Sequence, residues 1–281
     1  SSTTLTAFGS DGFTVGNNGG TGQNGGNYVA FGWKAGGSAS TNSSGSTNSS
    51  VSVSTDAGFS IVSYTGAGAT TYGHGLGATP NVIIIKKRTS DSGNNNWFVY
   101  HDKVITAGSG IKTFLTLNET EPLKSNGSAT TFLSVSSTTF GVGTDPIISE
   151  SSHAFIAYCF AEKQGYSKFS SYISNGNSNG VFQYLGFRPS LILTKNTSQA
   201  TDWIMHSDDR NGYNGGNTPI FPNGETGAGN ATDNEIDLLS NGFKVRNAGS
   251  KSNGDGAGKT LIYLAIGQSI VGTNGVPNNA R

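Results

Sequence analysis

Leu76-Gly77-Ala78-Thr79-Pro80 followed by Val82-Ile83-Ile84-Ile85-Lys86 decides the fold, because the same construction returns as Leu185-Gly186-Phe187-Arg188-Pro189 followed by Leu191-Ile192-Leu193-Thr194-Lys195. In each copy Gly permits a tight turn, Pro limits φ ahead of a strand, and alternate apolar residues fill one face of a sheet. A Gly-aromatic-Ser entry lies upstream (Gly58-Phe59-Ser60, Gly165-Tyr166-Ser167), and a Trp with an apolar partner lies downstream (Trp97-Phe98, Trp203-Ile204). The order sets a period of about 105 residues, the size of a whole small domain and too long for a solenoid repeat. Two full repeats are therefore placed at residues 58–163 and 164–268.

Within the first repeat the candidate strands are Phe59 to Tyr64, Val82 to Lys86, Trp97 to Tyr100, Lys112 to Leu117, Thr131 to Val135, Phe140 to Val142 and Ala154 to Ala161. The second proposes Tyr166 to Tyr172, Val181 to Leu185, Leu191 to Thr194, Trp203 to Met205, Ile236 to Leu239, Phe243 to Arg246 and Thr260 to Ile266. Short strands separated by turn residues such as Ser92-Gly93-Asn94 and Ser125-Asn126-Gly127 predict an all-β chain of tandem antiparallel β-sandwich domains related by internal duplication. Only Asn118 to Leu123 is expected to form a helical turn.

Residues 1–35 align without a gap on the end of the first repeat. Phe13 and Val15 match Phe140 and Val142, while Val29, Ala30, Phe31 and Trp33 fall on Ile156, Ala157, Tyr158 and Phe160. This segment reads as the second half of a truncated repeat with strands at Phe13 to Val15 and Tyr28 to Trp33, and Ser1 in place of Met is expected for a processed chain or a fragment. Residues 36–57 are rich in Gly, Ser, Thr and Asn and are expected to be an extended linker, Val51 and Val53 adding an edge strand. Residues 269–281 are expected to form a loosely ordered tail.

Seventeen basic and seventeen acidic residues cancel, and charged residues are only 12% of the chain. No concentrated positive field is available for nucleic acid or an anionic membrane, and no apolar run approaches the length of a membrane-crossing helix. No membrane insertion is expected. The 10% aromatic content argues for folded β structure with uncharged polar loops. Cys159, inside the apolar run Ala154 to Ala161, is expected to be a buried small hydrophobe.

No catalytic constellation emerges. His74, His101, His153 and His206 have no His or Cys at ligand spacing, so no metal site is predicted. His101-Asp102 and His206-Ser207-Asp208 lack a nucleophile elbow. Glu119, Glu121, Asp208, Asp209, Glu225, Asp233, Glu235 and Asp237 supply carboxylates for glycoside cleavage, but sequence does not place any two at a working separation. Gly254 to Thr260 ends in Gly-Lys-Thr yet enters a strand, where a phosphate loop needs a helix. Asp202, Asp208 and Asp209 lack the alternating oxygen pattern of a calcium loop. Trp97 and Trp203 have the stacking surface for sugar rings, but their matched positions point to a shared core role. No cofactor is implied.

Phe8-Gly9-Ser10-Asp11-Gly12-Phe13-Thr14-Val15, Tyr28 to Gly36, Ser50 to Ser54, Gly58 to Gly66, Gly73-His74-Gly75-Leu76-Gly77 and Ile156 to Glu162 together resemble a repeated β-rich domain of unknown function from structural proteins of tailed bacteriophages, notably marine and cyanobacterial ones. The second copy departs from that pattern with Gln183-Tyr184 in place of His74-Gly75. The resemblance carries no catalytic residues. It implies a non-enzymatic virion protein, a tail fibre or appendage module for host attachment, exposed on the tail or capsid surface. Other virion proteins, a host surface glycan and further copies of the chain, a trimer being favoured, are the partners implied. A capsid decoration or head-fibre protein and a polysaccharide-degrading tailspike are the alternatives. The Gly/Asn/Pro-rich insertion between Asp208 and Asn234 has no counterpart in the first repeat, and its Arg210, Asn211, Tyr213 and Asn214 are the predicted ligand-binding residues.

Overall fold

A computed structural model describes residues 4–9, 12–33, 35–89, 93, 95–125, 127, 129–208, 214, 218–224 and 236–267. The chain divides into two compact units, Ser1–Lys34 and Ala35–Arg281.

The first unit contains one antiparallel hairpin, β1 (Leu5–Phe8) and β2 (Phe13–Val15), with Phe8 opposite Phe13. The strand expected at Tyr28 to Trp33 does not form. Instead the Tyr28 hydroxyl donates to the Gly19 carbonyl at 2.8 Å and accepts from the Gln23 amide at 3.0 Å, so the ring closes its own glycine-rich loop. The matching segment of the first repeat is a strand held between two neighbours, and among the described residues of this unit no such neighbours exist.

Among its described residues the second unit is all-β apart from two complete helical turns and a helical residue at Asp208. Its strands are β3 (Ser40–Asn42), β4 (Ser49–Ser54), β5 (Phe59–Thr65), β6 (Thr70–Gly73), β7 (Val82–Lys87), β8 (Trp97–His101), β9 (Thr113–Thr116), β10 (Lys124–Ser125), β11 (Phe132–Val135), β12 (Thr139–Val142) and β13 (Ala154–Phe160) in the first half. The second half contributes β14 (Ser167–Asn175), β15 (Phe182–Tyr184), β16 (Pro189–Asn196), β17 (Ile204–Ser207), β18 (Ile236–Leu239), β19 (Gly242–Val245) and β20 (Ala257–Gly267). The helical turns are α1 (Pro146–Ser149) and α2 (Ser250–Asn253). The turn expected at Asn118 to Leu123 is irregular, because Asn118 spends its side chain on the neighbouring strand rather than on a helix cap.

An eight-stranded sheet ordered β10-β9-β8-β7-β13-β5-β4-β3 faces a three-stranded sheet β11-β12-β6, and a four-stranded sheet β14-β20-β16-β17 faces a three-stranded sheet β15-β19-β18. The order β5-β13-β7-β8 is repeated as β14-β20-β16-β17, and β11-β12-β6 as β18-β19-β15. The duplication seen in the sequence is thus a duplication of topology. Both quoted turns have their glycine in the left-handed region, Gly77 at φ +67 and Gly186 at φ +83, and each buries the preceding leucine. The register also corrects one detail. Ala161 donates to the Gly58 carbonyl at 2.8 Å and Gly267 to the Tyr166 carbonyl at 2.7 Å, so Tyr166 occupies the place of Gly58 and not that of Phe59. Tyr64 and Tyr172 then coincide, and their hydroxyls donate to the carbonyls of Ile148 in α1 and Ser252 in α2.

Residues 36–57 are not a free linker. β3 and β4 extend the large sheet, with Val51 opposite Val62 and Ser40 opposite Val51. Serine hydroxyls complete the attachment, Ser49 to the Gly73 carbonyl at 2.8 Å and Ser52 to the Gly37 carbonyl at 2.7 Å. A tract with few apolar residues joins the fold because backbone pairing and short hydroxyl bonds do not require them.

Three cores result. One fills the first sandwich around Val62, Tyr64, Tyr72, Ile83, Ile85, Phe140 and Phe155, and a second fills the other around Tyr172, Ile192, Phe243, Leu261 and Tyr263. The third lies between the sandwiches, where Phe59, Val82, Val99, Leu115 and Phe160 of the eight-stranded sheet meet Phe169, Trp203, Ile262 and Leu264 of the four-stranded one. The repeats are therefore stacked back to back in four sheet layers. The uninterrupted apolar runs Val82 to Ile85 and Leu261 to Ile266 are those of strands buried on both faces.

Candidate functional site

The stacking leaves an asymmetry. Trp97 and Trp203 occupy equivalent places, paired with Lys86 and beside Ile204's partner Thr194 respectively, and both point to the outer face of their sheet. Trp203 is 0% exposed, sealed in the shared core. Trp97 remains partly exposed, since the four-stranded sheet covers only part of the eight-stranded one. The shared core role expected for the two tryptophans holds for Trp203 and only partially for Trp97.

Trp97 forms one end of an aromatic shelf. Its ring lies 6.2 Å from that of half-buried Tyr158 with 19° between the planes, and Tyr158 lies 6.5 Å from Phe59 at 5°. Lys86 holds its ammonium 5.8 Å from the Trp97 ring centroid while donating to the Asn95 carbonyl. A polar network holds the start of β8 in place, its Thr116 and Lys124 members lying with Phe98 and Phe114 on the opposite face of the sheet from the Trp97 ring. The Asn118 amide oxygen accepts from the Trp97 backbone at 2.9 Å, and its nitrogen donates to Asn96 Oδ1 at 2.9 Å. Asn96 in turn donates to Glu119 Oε1, and the other Glu119 oxygen accepts from Thr116 and Lys124 at 3.0 Å each. Partial burial works to raise the Glu119 pKa, but the bonds from Lys124, Thr116 and Asn96 outweigh it and hold the carboxyl below its ordinary value. Glu119 is thus a fixed acceptor rather than a proton donor, which would need a raised pKa.

The second acidic site is Asp202, where Lys251 Nζ sits 2.6 Å from Oδ2 and Asn223 donates to Oδ1 at 2.8 Å. Burial again opposes, and the Lys251 and Asn223 bonds prevail to lower its pKa. Lys251 also lies 4.2 Å from the Phe221 ring centroid, a cation–π contact.

The predicted ligand-binding residues Arg210, Asn211 and Tyr213 lie outside the described residues, as do Asp209, Glu225, Asp233, Glu235 and residues 269–281. Asn214 is described. Its amide accepts from the Leu238 N–H at 2.8 Å and donates to the Leu238 carbonyl at 3.2 Å, standing in for a strand beside β18. Both polar ends of Asn214 are thereby used in anchoring the loop.

His74 and His101 serve the scaffold. His74 accepts the Leu76 amide on Nδ1 at 3.2 Å and contacts the Ser136 carbonyl through Nε2, pinning the turn that repeats at Leu185. His101, wholly buried between the sandwiches, accepts the Lys103 amide on Nδ1 and points Nε2 at the Tyr263 carbonyl. Cys159 is fully buried, and desolvation pushes its thiol up to about 12. Among the described residues no three His, Cys, Asp or Glu side chains converge as a metal site.

The chemical capacity of the shelf is stacking against a ligand with an apolar face, the Lys86 ammonium standing beside it. The sequence alone does not single out Tyr158 beside Trp97, because the two come from β13 and β8, which β7 separates in the sheet. Glu119, one of the carboxylates that the sequence offers for an acid pair, is tied here to Thr116, Lys124 and Asn96. Comparison with known proteins places residues 1–269 under the model of one family, described as a domain of unknown function, DUF7483. No curated protein and no solved structure matches the chain.

Proposed function

Since the chain belongs to the DUF7483 family, which carries no assigned activity, we propose from its architecture that it is a non-enzymatic structural and attachment module of a bacteriophage virion, a tail fibre or similar appendage that binds host surface glycan. The observation that carries the binding part is the partly exposed Trp97–Tyr158 shelf with the Lys86 ammonium beside the Trp97 ring. Pyranose rings present an apolar face to aromatic rings, and this shelf supplies two nearly parallel rings with an ammonium group beside them. The module that presents it is stiff, because the two sandwiches share a third core and several hydrogen bonds. The virion assignment is supported by the resemblance of the repeated motifs.

Adsorption of the purified chain to host cells and to extracted host polysaccharide tests the binding. Trp97→Ala is expected to lower the affinity at least tenfold while its unfolding transition stays cooperative. Equal binding by the variant would reject the shelf as the site, and steady release of reducing ends would reject the non-enzymatic reading. Labelling of intact particles with an antibody to the chain, with no signal on tail or capsid, would reject the virion assignment.

A further inference from the structure

The shelf has one closed side and one open side. Along β7 the residues of its outer face are Val82, Ile84 and Lys86, followed just past the strand end by Arg88, whose N–H donates to the Ala154 carbonyl at 2.7 Å and continues the pairing with β13. Trp97 lies opposite Lys86 and Tyr158 opposite Ile84, so their stacked rings cross β7 between those two positions. On the Val82 side the sheet enters the shared core, where Val82 is 0% exposed and belongs to one buried cluster with Phe160, Trp203 and Leu264. On the other side lie Lys86, half-buried, and Arg88, exposed. A sugar ring stacked on the shelf therefore extends toward solvent past these two cations.

Lys87, between them in sequence, turns to the opposite face, where it is 4% exposed and pairs with the Glu150 carboxylate. Lys86 instead donates to the Asn95 carbonyl and lies 5.8 Å from the Trp97 ring centroid, so its charge meets a neutral acceptor and an aromatic ring. The Arg88 guanidinium stands near enough to Tyr158 to offset part of the rise that burial gives the pKa of its hydroxyl. The residues beside the two cations across the sheet are Ile156 and Ala154 on β13, with Ser63 and Thr65 on β5 beyond them. None of these four is acidic, and among the described residues neither Lys86 nor Arg88 forms an ion pair with a carboxylate.

We propose, on the reading that the shelf binds glycan, that its ligand is an acidic saccharide, stacked on Trp97 and Tyr158 with a carboxylate or sulfate group held by Lys86 and Arg88. Ammonium and guanidinium groups form charge-assisted hydrogen bonds to either anion, and a neutral sugar leaves both charges unmatched. The formal net charge of the chain is zero, so the attraction belongs to this pair rather than to a general positive field.

Two matched pairs of oligosaccharides test the proposal: an oligogalacturonate with its methyl ester, and a sulfated galactan fragment with its desulfated form, each titrated calorimetrically into the full chain. The acidic member of at least one pair is expected to bind about tenfold more tightly than its neutral counterpart, and to weaken about fivefold between about 0.05 and about 0.5 M NaCl. The pair that shows the difference identifies the acid group. Lys86→Gln with Arg88→Gln is expected to bring the acidic member down to the affinity of the neutral one, whereas Trp97→Ala weakens both. Neither cation belongs to a core, so the unfolding midpoint of the double variant should stay near that of the parent. Neutral members that bind as tightly as acidic ones, with binding lost in Trp97→Ala, would overturn the acidic class and leave the glycan reading standing. An acidic preference that survives removal of both cations, or binding to none of the four probes, would also overturn the proposal. Binding that Trp97→Ala leaves intact would remove the shelf as the site and this inference with it.

Discussion

The indole N–H of Trp203, in the second repeat, donates to the backbone carbonyl of Thr116, in the first, at 2.8 Å inside the core shared by both. The contact makes each repeat part of the other's interior. Trp203→Phe keeps most of the apolar volume but leaves the Thr116 carbonyl without this donor, at an expected cost of about 1–3 kcal/mol. Trp203→Ala should cost about 3–5 kcal/mol. Urea unfolding followed by fluorescence checks both, and the two repeats should unfold in one transition rather than two.

Tyr64 and Tyr172 provide a matched pair. Each is buried, and each ties its sandwich to a helical turn through a hydroxyl bond, at 2.8 Å to Ile148 and 2.5 Å to Ser252. Tyr64→Phe and Tyr172→Phe should each cost about 1–2 kcal/mol, measured by chemical denaturation. Similar losses are expected because the two positions are equivalent by strand register.

Val51 distinguishes a closing strand from a linker. It is 4% exposed and faces Val62 across β4 and β5. Val51→Asp would bury an unpaired carboxyl, and a loss of about 3 kcal/mol or more in unfolding free energy is expected. A linker position would show no measurable change.

Stability should fall in acid through His101. Burial lowers its pKa from the ordinary 6.5 to about 4, opposed by the nearby Asp102 carboxylate. Between those pH values the unfolded chain binds a proton that the folded chain does not, so stability decreases as pH drops from about 6.5 to about 4. The contribution is on the order of 2–3 kcal/mol. His74 is also shifted down by desolvation and acts in the same direction. Denaturation midpoints of the parent and His101→Gln across this range check the share of His101, the variant losing part of the slope.

Short-range patterns in the sequence determined a large part of the fold. A glycine that must take positive φ, a proline before a strand and alternating apolar residues are local requirements, so Leu76 to Lys86 and Leu185 to Lys195 disclosed the repeat and most strands of both sandwiches. Register was less legible, because Gly58-Phe59-Ser60 and Gly165-Tyr166-Ser167 match best as strings one residue away from where hydrogen bonding places them. Of residues 36–57, Val51 and Val53 marked the strand β4, while β3 and the contacts of Gly45 and Thr47 with β6 were not legible, since serine, threonine and glycine bind there through backbone and hydroxyl groups that leave no apolar signature. Tertiary structure alone decided that the sandwiches stack back to back, that Trp203 is sealed while Trp97 stays partly exposed, and that Tyr158 lies beside it. These outcomes depend on which faces of distant strands cover one another, and that is set by packing between sheets rather than by any interval along the chain.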